Sequence, residues 1–416
     1  MIERTLFSDL VEHLPKKEIS LIIGPRQAGK TTLMEMLKGH LERKGERTLY
    51  LNLDVEWDRT HFDSQLALLK KIELELGKER GFVFIDEIQR KEDAGLFLKG
   101  LFDLTLPYKF IVSGSGSLEL KERIHESLVG RKRLLELTTI TFLEFVHHKT
   151  NYRYKDNLAD FFEIEKEKTQ QFLLEYMNFG GYPRVVLEPE RNEKNKIIDE
   201  IYRSVLEKDI AYLLKVEKTE AFNSLIKLLS SQIGNLVNYS EVSSTLNISH
   251  QTLKRYLWYA QKIFLLDLVS PYARNIRKEI TKSPVPYFWD LGIRNYSLGM
   301  FGHVSSPSEF GFLFENFVFL SLRTRTTFAS KKLHFWRTKD KAEVDFVLES
   351  GKKIIPMEAK FKSLKKEEIS RSLRNFIEKY NPPEAYIINL SLKKTLKINN
   401  TTLSFIPFYE LLFKEF

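Results

Sequence analysis

Short apolar runs and amphipathic segments alternate along the N-terminal third of the chain. The apolar runs have the length of single strands, and the segments between them carry apolar residues at helical spacing. Strands occur at 18–24, 48–55, 81–89 and 108–117, and helices at 32–45 and 64–76. Strands separated by helices need crossover connections, which predict a parallel sheet covered by helices on both faces. The fold class predicted for this part is therefore α/β.

The middle of the chain changes to a largely helical pattern. Residues 158–215 read as helices, and residues 222–270 give three further helical segments. The second of these is short, with Ser240 as its predicted N-cap. A tight turn and a longer helix follow, which is the pattern of a helix-turn-helix. Two apolar runs, 266–272 and 284–290, are typical of the strands of a wing.

The C-terminal part begins with an apolar helix at 308–325 and continues with strands at 333–338, 342–350 and 353–361. In the second of these strands, Val344, Phe346 and Leu348 alternate with more polar neighbours, so Glu343 and Asp345 share the other face. This pattern predicts a mixed α/β region.

Composition limits the classes of protein that fit. The 416 residues suit two to four domains, and 43% hydrophobic residues are enough for a core in each. No apolar run reaches membrane-spanning length and no signal-like segment begins the chain, so we expect no membrane partner. The chain has no cysteine, which fits a cytoplasmic protein. The net charge of +9 is compatible with a polyanionic partner.

A phosphate-binding loop follows the first strand. Residues 24–31 read GPRQAGKT, which matches the G-x-x-x-x-G-K-[ST] pattern between a strand and a helix. Glycines let the backbone wrap a phosphate, and the helix N-terminus favours its negative charge. Lys30 is predicted to reach the β- and γ-phosphates of ATP, and Thr31 to ligate Mg²⁺. The predicted nucleotide-binding residues of this loop are Gly24, Gly29, Lys30, Thr31 and Thr32.

Polar residues end the third and fourth strands at the same edge. Asp86 is predicted to hold Mg²⁺, and Glu87 to polarise the attacking water. Ser113 is a candidate sensor of the γ-phosphate, with Ser115 as an alternative. Without the phosphate loop, the two carboxylates would equally fit a solvated strand end.

Phosphoryl transfer commonly uses an arginine from a neighbouring subunit. Arg131, which follows Gly130, is the candidate, with Arg133 second. Arg184 is a candidate to reach the phosphates from the helical region. For each, a plain surface arginine is the alternative.

The chain resembles AAA-type ATPases that pair an N-terminal P-loop domain with a C-terminal nuclease-like region. The matching stretches run across nearly the whole chain: GPRQAGKTTL, YLNLD, FVFIDEIQ, IVSGSGS, SLVGR, NFGGYPRVV, DLVSPY, PYFWDLGIRN and FENFVFLSL. Where the family usually carries Pro-Leu-Ser, this chain has LTTITFLEF. The resemblance implies a helical lid over the nucleotide and a homo-oligomer, either a ring or a dimer.

The helix-turn-helix predicts a DNA contact. On its longer helix, Leu253, Tyr256, Leu257, Ala260 and Phe264 share a buried face. The predicted DNA-contacting residues are His250, Gln251, Lys254 and Arg255 on the opposite face, and Arg274, Arg277, Lys278 and Lys282 at the wing tip. Winged helices also dock proteins or serve a purely structural role, which stays the alternative.

The C-terminal strands carry a spaced set of charged residues. Asp345, followed by Glu358-x-Lys360, has the spacing of the PD-(D/E)xK nuclease fold. The predicted hairpin places Asp345 and Glu358 side by side. Together with Glu315 on the preceding helix, they are predicted to hold Mg²⁺ or Mn²⁺, with Lys360 orienting a water. A cross-strand set of lysine and carboxylates, or a site that binds without cutting, are the alternatives.

Four domains follow from these patterns. They are a P-loop ATPase core at 1–155, a helical lid at 156–218, a winged helix at 219–300 and a PD-(D/E)xK nuclease-like domain at 301–416. The favoured function is an ATPase that processes DNA, branched or forked forms included. The alternative is a nucleotide-switched scaffold whose C-terminal domain does not cut.

Overall fold

The computed structural model describes residues 2–115, 128–206, 219–273, 283–326, 331–338 and 340–416. Its N-terminal sheet has five strands in the order β2-β3-β4-β1-β5, and every neighbouring pair is parallel. The strands are β1 Ile19–Gly24, β2 Thr48–Asn52, β3 Gly81–Asp86, β4 Tyr108–Ser115 and β5 Lys132–Glu136. The predicted parallel α/β arrangement is confirmed for this part of the chain.

Helices connect these strands and cover both faces of the sheet. They are α1 Leu6–His13, α2 Lys30–Arg43, α3 Glu56–Thr60, α4 Gln65–Leu76 and α5 Ala94–Asp103, with a short 3-10 turn at Ile88–Arg90. The core strands β1 and β3 are buried at every position. Along β1, Leu21 and Ile23 pack into one apolar cluster while Ile22 packs into another on the opposite face. This two-sided burial explains why these strands read as continuous apolar runs.

A helical region follows the first sheet. Its helices are α6 Phe142–Lys149, α7 Leu158–Ile164, α8 Lys166–Phe179, α9 Pro183–Leu187, α10 Arg191–Ser204, α11 Thr219–Ser230, α12 Tyr239–Thr245 and α13 His250–Lys262. The predicted helix-turn-helix elements are present as α12 and α13, and Leu253, Tyr256, Leu257 and Ala260 are buried on α13 as predicted. The prediction of Phe264 on the same helix is wrong, because α13 ends at Lys262 and Phe264, with a left-handed φ of 60°, packs on Trp289. Ser240 is not the N-cap of α12. That position belongs to Asn238, whose side chain accepts the amides of Ser240 and Glu241.

The two predicted wing strands form an antiparallel hairpin, β6 Leu266–Pro271 and β7 Val285–Phe288. At its end, β6 also pairs with a C-terminal strand, because Ser270 lies opposite His334 in parallel register. The hairpin is therefore the edge of an eight-stranded sheet with the order β12-β13-β11-β10-β9-β8-β6-β7. This sheet crosses the domain boundary predicted at residue 300.

The C-terminal strands of that sheet come in two runs of three, and one helix lies between the runs. They are β8 Lys331–Arg337, β9 Glu343–Ser350, β10 Lys353–Ala359, β11 Glu384–Asn389, β12 Lys394–Ile398 and β13 Thr401–Pro407. The helices are α14 Leu291–Ser297, α15 Pro307–Thr326, α16 Arg371–Tyr380 and α17 Phe408–Leu411. Phe314 and Phe317 of α15 share an apolar cluster with Phe346, whereas Phe376 of α16 packs with Val347. Both faces of the sheet are thus covered. Among the described residues, no helix combines the length and apolar character that a membrane span requires.

Asp290 joins three distant segments beneath the surface. Its carboxylate accepts the amide of Gly181 at 2.8 Å and the amide of Ile293 at 3.0 Å, together with the amide of Gly292 and the hydroxyl of Thr139. Burial raises the pKa of Asp290 to about 6, although these donors oppose the shift. The segments at 139, 181 and 292 are therefore fixed to one another through one side chain.

The glycine turn 180–181 leaves no room for side chains. A Cβ on Gly180 would lie 2.3 Å from the Asp290 carboxylate, and one on Gly181 would lie 2.2 Å from the carbonyl oxygen of Ile140. The Gly181 carbonyl also accepts the amide of Ile140 at 2.7 Å. The sequence GGYP is thus required by close packing of backbone on backbone.

Replacing Gly181 by alanine is expected to destabilise the protein by about 3 kcal/mol or more, because the new Cβ would overlap a carbonyl that has no free space to move. Gly39→Ala is the matched control, since nothing lies within 4 Å of a Cβ there. Gly39 lies within α2 and its substitution is expected to stabilise by about 0.5–1 kcal/mol. Urea unfolding measures both. Equal stability of the two variants would contradict the packing of this turn.

Candidate functional site

The phosphate loop links β1 to α2 at the carboxyl edge of the parallel sheet. Gly29 has a φ of 95°, a conformation that favours glycine, and α2 begins at Lys30. The Lys30 side chain is buried, and its Nζ donates to the carbonyl oxygens of Gly24 at 3.1 Å and Pro25 at 2.9 Å. The Lys30 ammonium is therefore bound by carbonyl oxygens of the loop itself. Phosphate oxygens bound in the loop would compete with these carbonyls for the ammonium.

A cleft of about 570 Å³ opens beside this loop. Its walls include residues from the loop, from β3 and from the helical region: Gln27, Gly29, Lys30, Thr31, Thr32, Glu87, Pro183 and Arg184. A volume of this size suits a nucleotide or another ligand of similar dimensions. The structure thus brings most of the predicted nucleotide-binding residues together around one cleft.

Asp86 at the end of β3 is fully buried and surrounded by hydroxyl donors. Its Oδ2 accepts from Thr31 at 2.7 Å and from Tyr50 at 2.8 Å, and its Oδ1 accepts from Ser113. Hard oxygen ligands at such a position are the kind that Mg²⁺ prefers. Thr31, Asp86 and Ser113 are therefore in contact. Tyr50 was not among the predicted residues, because its distance from Asp86 in sequence hides the pairing of β2 with β3.

Glu87 begins the 3-10 turn with a φ of 57°. Burial raises the pKa of its carboxyl group, and the Lys30 ammonium partly offsets this shift. The Gln89 side chain donates to the Glu87 carboxylate. The left-handed backbone turns Glu87 into the cleft wall, and Gln89 holds its carboxylate there.

The predicted arginines lie at different edges of the domain. Arg184 is exposed beside the cleft, where it donates to Gln27 at 3.2 Å and to Glu200 at 2.9 Å. Arg131 precedes β5 at the opposite edge of the sheet and pairs with Asp103 at 2.8 Å. About 17 Å of strand separates that edge from the loop, so Arg131 does not serve the cleft of its own chain.

Arg4 is a further residue of the cleft that the sequence did not reveal. It is buried, and it donates to the loop carbonyl of Ala28 at 2.8 Å and to the carbonyl of Thr138 at 2.6 Å. Its Nε pairs with Glu144 at 3.2 Å. Glu144 also completes a capping box with Thr141 at the start of α6. Arg4 thereby fixes the phosphate loop to the segment that follows β5.

The residues predicted to contact DNA on α13 lie on the surface. His250, Gln251, Lys254 and Arg255 are all exposed. The predicted wing-tip residues Arg274, Arg277, Lys278 and Lys282 lie outside the described residues.

Asp345 and Glu358 lie next to each other in the C-terminal sheet. Met357 is opposite Phe346, and Asp345 accepts the amide of Ala359 at 2.8 Å. Burial raises the pKa of Asp345 well above its ordinary value, and the nearby carboxylates of Glu315 and Glu358 add to the shift. Two carboxylates in this arrangement attract a cation or a proton.

Glu358 is buried, and its two carboxylate oxygens differ in their partners. Its Oε1 accepts from Ser370. Its Oε2 makes no hydrogen bond with the described residues, although the Lys360 ammonium lies 3.3 Å away as an ion pair. Lys360 also donates to the carbonyl of Glu368 at 3.1 Å. A buried oxygen without a hydrogen bond is a position where a cation would be accepted.

Glu315 on α15 is held by the hairpin. Tyr287 of β7 donates to its Oε1 at 2.5 Å, and a Cβ on Gly234 would lie 2.8 Å and 2.9 Å from its two carboxylate oxygens. Burial raises the pKa of Glu315 to about 7. Within the described ranges, no three carboxylate or imidazole side chains stand close enough together to hold a metal ion. The pair Asp345 and Glu358 is therefore the assembled part of the predicted set.

Three family models match successive parts of the chain. Residues 16–146 match an AAA domain, residues 170–303 match a domain of unknown function (DUF8612), and residues 310–411 match another (DUF4143). The first match contains Lys30, Thr31 and Glu87, which line the cleft. The N-terminal third is therefore similar to AAA-type P-loop domains.

Uncharacterised proteins of several organisms are similar to this chain over most of its length. An uncharacterised protein of Haemophilus influenzae is 28% identical over 376 residues, which cover 87% of each chain. Relatives from Methanocaldococcus jannaschii and Mycobacterium tuberculosis are 27% and 26% identical, covering 81% and 87% of this chain and 73% and 74% of theirs.

Two solved structures of a replication initiator, DnaA, align with this chain at low TM-scores. The complex with AMPPCP and single-stranded DNA has a TM-score of 0.30 and 15% identity, covering 62% of this chain and 86% of that one. AMPPCP-bound DnaA from Aquifex aeolicus has a TM-score of 0.25 and 14% identity over the same shares. Values this low do not establish a common fold.

In the AAA-type domain, Tyr50→Phe is expected to weaken Mg²⁺·ATP binding about tenfold or more, because the Asp86 carboxylate loses a donor that aims it. Binding of ATP without Mg²⁺ should be nearly unchanged, and the ring keeps its packing on Phe84. Calorimetry with and without Mg²⁺ measures both. Tyr386→Phe, which removes a similar bond to Glu384 in the C-terminal sheet, is the control. An equal loss in both variants would exclude a specific role for Tyr50.

Proposed function

We propose that this protein binds and hydrolyses ATP, binds DNA, and couples ATP turnover to DNA processing through its C-terminal domain. The binding and hydrolysis of ATP is supported by the contact of Thr31 with Asp86 at the cleft edge, where Lys30 and Glu87 lie beside it. These residue types in this arrangement suit a nucleoside triphosphate with Mg²⁺.

In the ATPase cleft, Thr31 and Asp86 would hold Mg²⁺, which would neutralise charge on the phosphates. Lys30 would exchange the carbonyls of Gly24 and Pro25 for phosphate oxygens. Glu87 would orient and polarise the attacking water, and its raised pKa favours proton acceptance. Ser113 beside Asp86 would respond to the γ-phosphate.

Two arginines would add positive charge during turnover. Arg184 would leave Glu200 to reach the phosphates from the helical side. Arg131 would act on the cleft of a neighbouring subunit, which makes a ring or dimer the active form. Its position at the far edge of the sheet supports a role between subunits, because it lies too far from its own cleft.

The C-terminal site would bind Mg²⁺ or Mn²⁺ through Asp345 and Glu358. Mg²⁺ commonly takes one or two carboxylates and completes its shell with water and substrate phosphate, so this pair is sufficient. The unbonded Glu358 oxygen supports the fit. Glu315 would join as a third ligand only after moving closer to the pair, and Lys360 would orient a water against the scissile phosphate. The metal would supply charge stabilisation at that phosphate.

DNA would contact the helix-turn-helix through the exposed residues of α13 and the basic segment of the hairpin. His250, Gln251, Lys254 and Arg255 form a continuous polar face at its N-terminal half. Cationic side chains on such a face would bind phosphates in any sequence context, branched or forked DNA included.

The contacts of Glu315 and Glu358 favour a second candidate function, that of a scaffold that does not cut DNA. Tyr287 engages Glu315, and Lys360 is paired with Glu358. These contacts would equally suit a nucleotide-switched scaffold whose C-terminal domain recognises DNA or protein without cutting.

Lys30→Ala is expected to abolish ATP turnover, because no other described side chain in the loop supplies an ammonium to the phosphates. Lys38→Ala on the same helix is the control, since Lys38 pairs with Glu42 outside the cleft. Phosphate release measures turnover in both. Retained turnover in the Lys30 variant would overturn the loop assignment.

Cleavage of branched and plasmid DNA with Mn²⁺ is expected in the wild type and is expected to fail in Asp345→Ala and Glu358→Ala. Glu343→Gln is the matched control, because Glu343 shares the strand but pairs with Arg337. Gel analysis of the DNA gives the result. Cleavage that survives both alanine variants would exclude this site, and no cleavage in any protein would favour the scaffold.

A further inference from the structure

Arg323 near the end of α15 contacts three parts of the chain at once. Its Nη1 pairs with Glu136 at 2.7 Å and its Nε with Asp267 at 3.0 Å. Its guanidinium also stacks 3.5 Å from the ring centre of Trp289. The side chain is mostly buried, so these contacts are less screened than surface ion pairs. A planar guanidinium is suited to two carboxylates and an aromatic face together.

Glu136 is the contact on the ATPase side. It ends β5 and lies opposite Ile23, one residue before the phosphate loop. The next residue, Leu137, donates its amide to Ile23 at 2.8 Å, and its carbonyl leaves no space for a Cβ on Gly24. A movement at the start of the loop would therefore move the end of β5 as well.

Arg4 fastens the following residues to the same loop. It binds the carbonyls of Thr138 and Thr139 on one side and of Ala28 on the other. Residues 136–139 are consequently tied to both ends of the phosphate loop. We therefore expect the phosphate loop and the Glu136 carboxylate to move together.

The other contacts of Arg323 lead to the acidic site. Trp289 follows β7 only two residues after Tyr287, which holds Glu315. Glu315 and Arg323 lie on the same helix, eight residues or about 12 Å apart. The helix and the hairpin are thus in contact both at the acidic site and beside the ATPase domain.

We propose that Arg323 is a positioning residue that couples the occupancy of the nucleotide cleft to the geometry of Glu315 beside Asp345 and Glu358. Nucleotide binding would shift Glu136, Arg323 would follow it, and α15 would carry the shift to Glu315. The inference rests on the proposed ATPase and on the acidic site. It concerns how the acidic site is regulated.

Trp289 offers a direct readout, because the stacked guanidinium affects its emission. The probe is AMPPCP with Mg²⁺, and the part of the fluorescence change that is absent in Trp289→Phe belongs to Trp289. We expect a change in the wild type. Glu136→Gln should abolish it while nucleotide affinity, measured separately by calorimetry, stays within about threefold, since Glu136 does not line the cleft.

Asp267→Asn is the matched control. It removes the other carboxylate of Arg323 but leaves the contact with the ATPase domain, so the response should remain. Arg323→Lys keeps the charge and loses the fork and the stacking, so it should abolish the response as Glu136→Gln does. This second variant provides the test if Glu136→Gln does not fold.

The outcomes separate this inference from the proposed function. A wild type that binds AMPPCP without any Trp289 response would overturn the coupling and leave the ATPase intact. A response that persists in Glu136→Gln, or that Asp267→Asn abolishes equally, would also overturn it. A wild type that does not bind AMPPCP would instead overturn the nucleotide site itself.

Discussion

The buried carboxylate of Asp290 is the interaction on which the arrangement of the chain depends. It binds Thr139 after the first sheet, the amide of Gly181 in the helical region and the amides that start α14. Raising its pKa from 3.8 to about 6 corresponds to roughly 3 kcal/mol of unfavourable ionisation at neutral pH. An apolar residue in place of Asp290 would avoid this unfavourable ionisation, but it would leave several buried amides without hydrogen-bond acceptors. Asn295 adds to the same junction by donating to the carbonyls of Met177 and Asn178.

That junction requires glycine at positions that are far apart in the sequence. The glycines at 180, 181 and 292 have no space for a Cβ, and each is blocked by atoms of another of these segments. Trp289, the neighbour of Asp290, packs in the apolar cluster of the first sheet. The N-terminal α/β domain and the eight-stranded sheet are consequently not independent bodies joined by a linker. Their contact surface is built from short, tightly packed backbone segments.

Local sequence was enough to predict the features that depend on neighbouring residues. The phosphate loop, the strand ends at Asp86 and Ser113, the inner face of α13 and the hairpin of Asp345 with Glu358 all follow from spacing within one or two elements. Tyr50, Arg4 and Arg323 were not predictable, because their partners are tens to hundreds of residues away and a lone tyrosine or arginine carries no periodic signal. The prediction of Ser240 as the N-cap of α12 was wrong for a more local reason. Asn238, two residues earlier, is an equally good cap, and its position fits the turn that precedes α12.

The two acidic centres of the molecule are stabilised in different ways, and the difference bears on their chemistry. Around Asp86 the side-chain donors are the neutral hydroxyls of Thr31, Tyr50 and Ser113, which bring no positive charge of their own to the carboxylate. Around Asp345 and Glu358, the Lys360 ammonium lies against the Glu358 carboxylate, while burial, followed by the carboxylates of Glu315 and Glu358, raises the pKa of Asp345. Such a pair is stable only with a bound proton or cation. Because the Glu315 carboxylate adds to the raised pKa of Asp345, a movement of α15 relative to this pair would change that pKa.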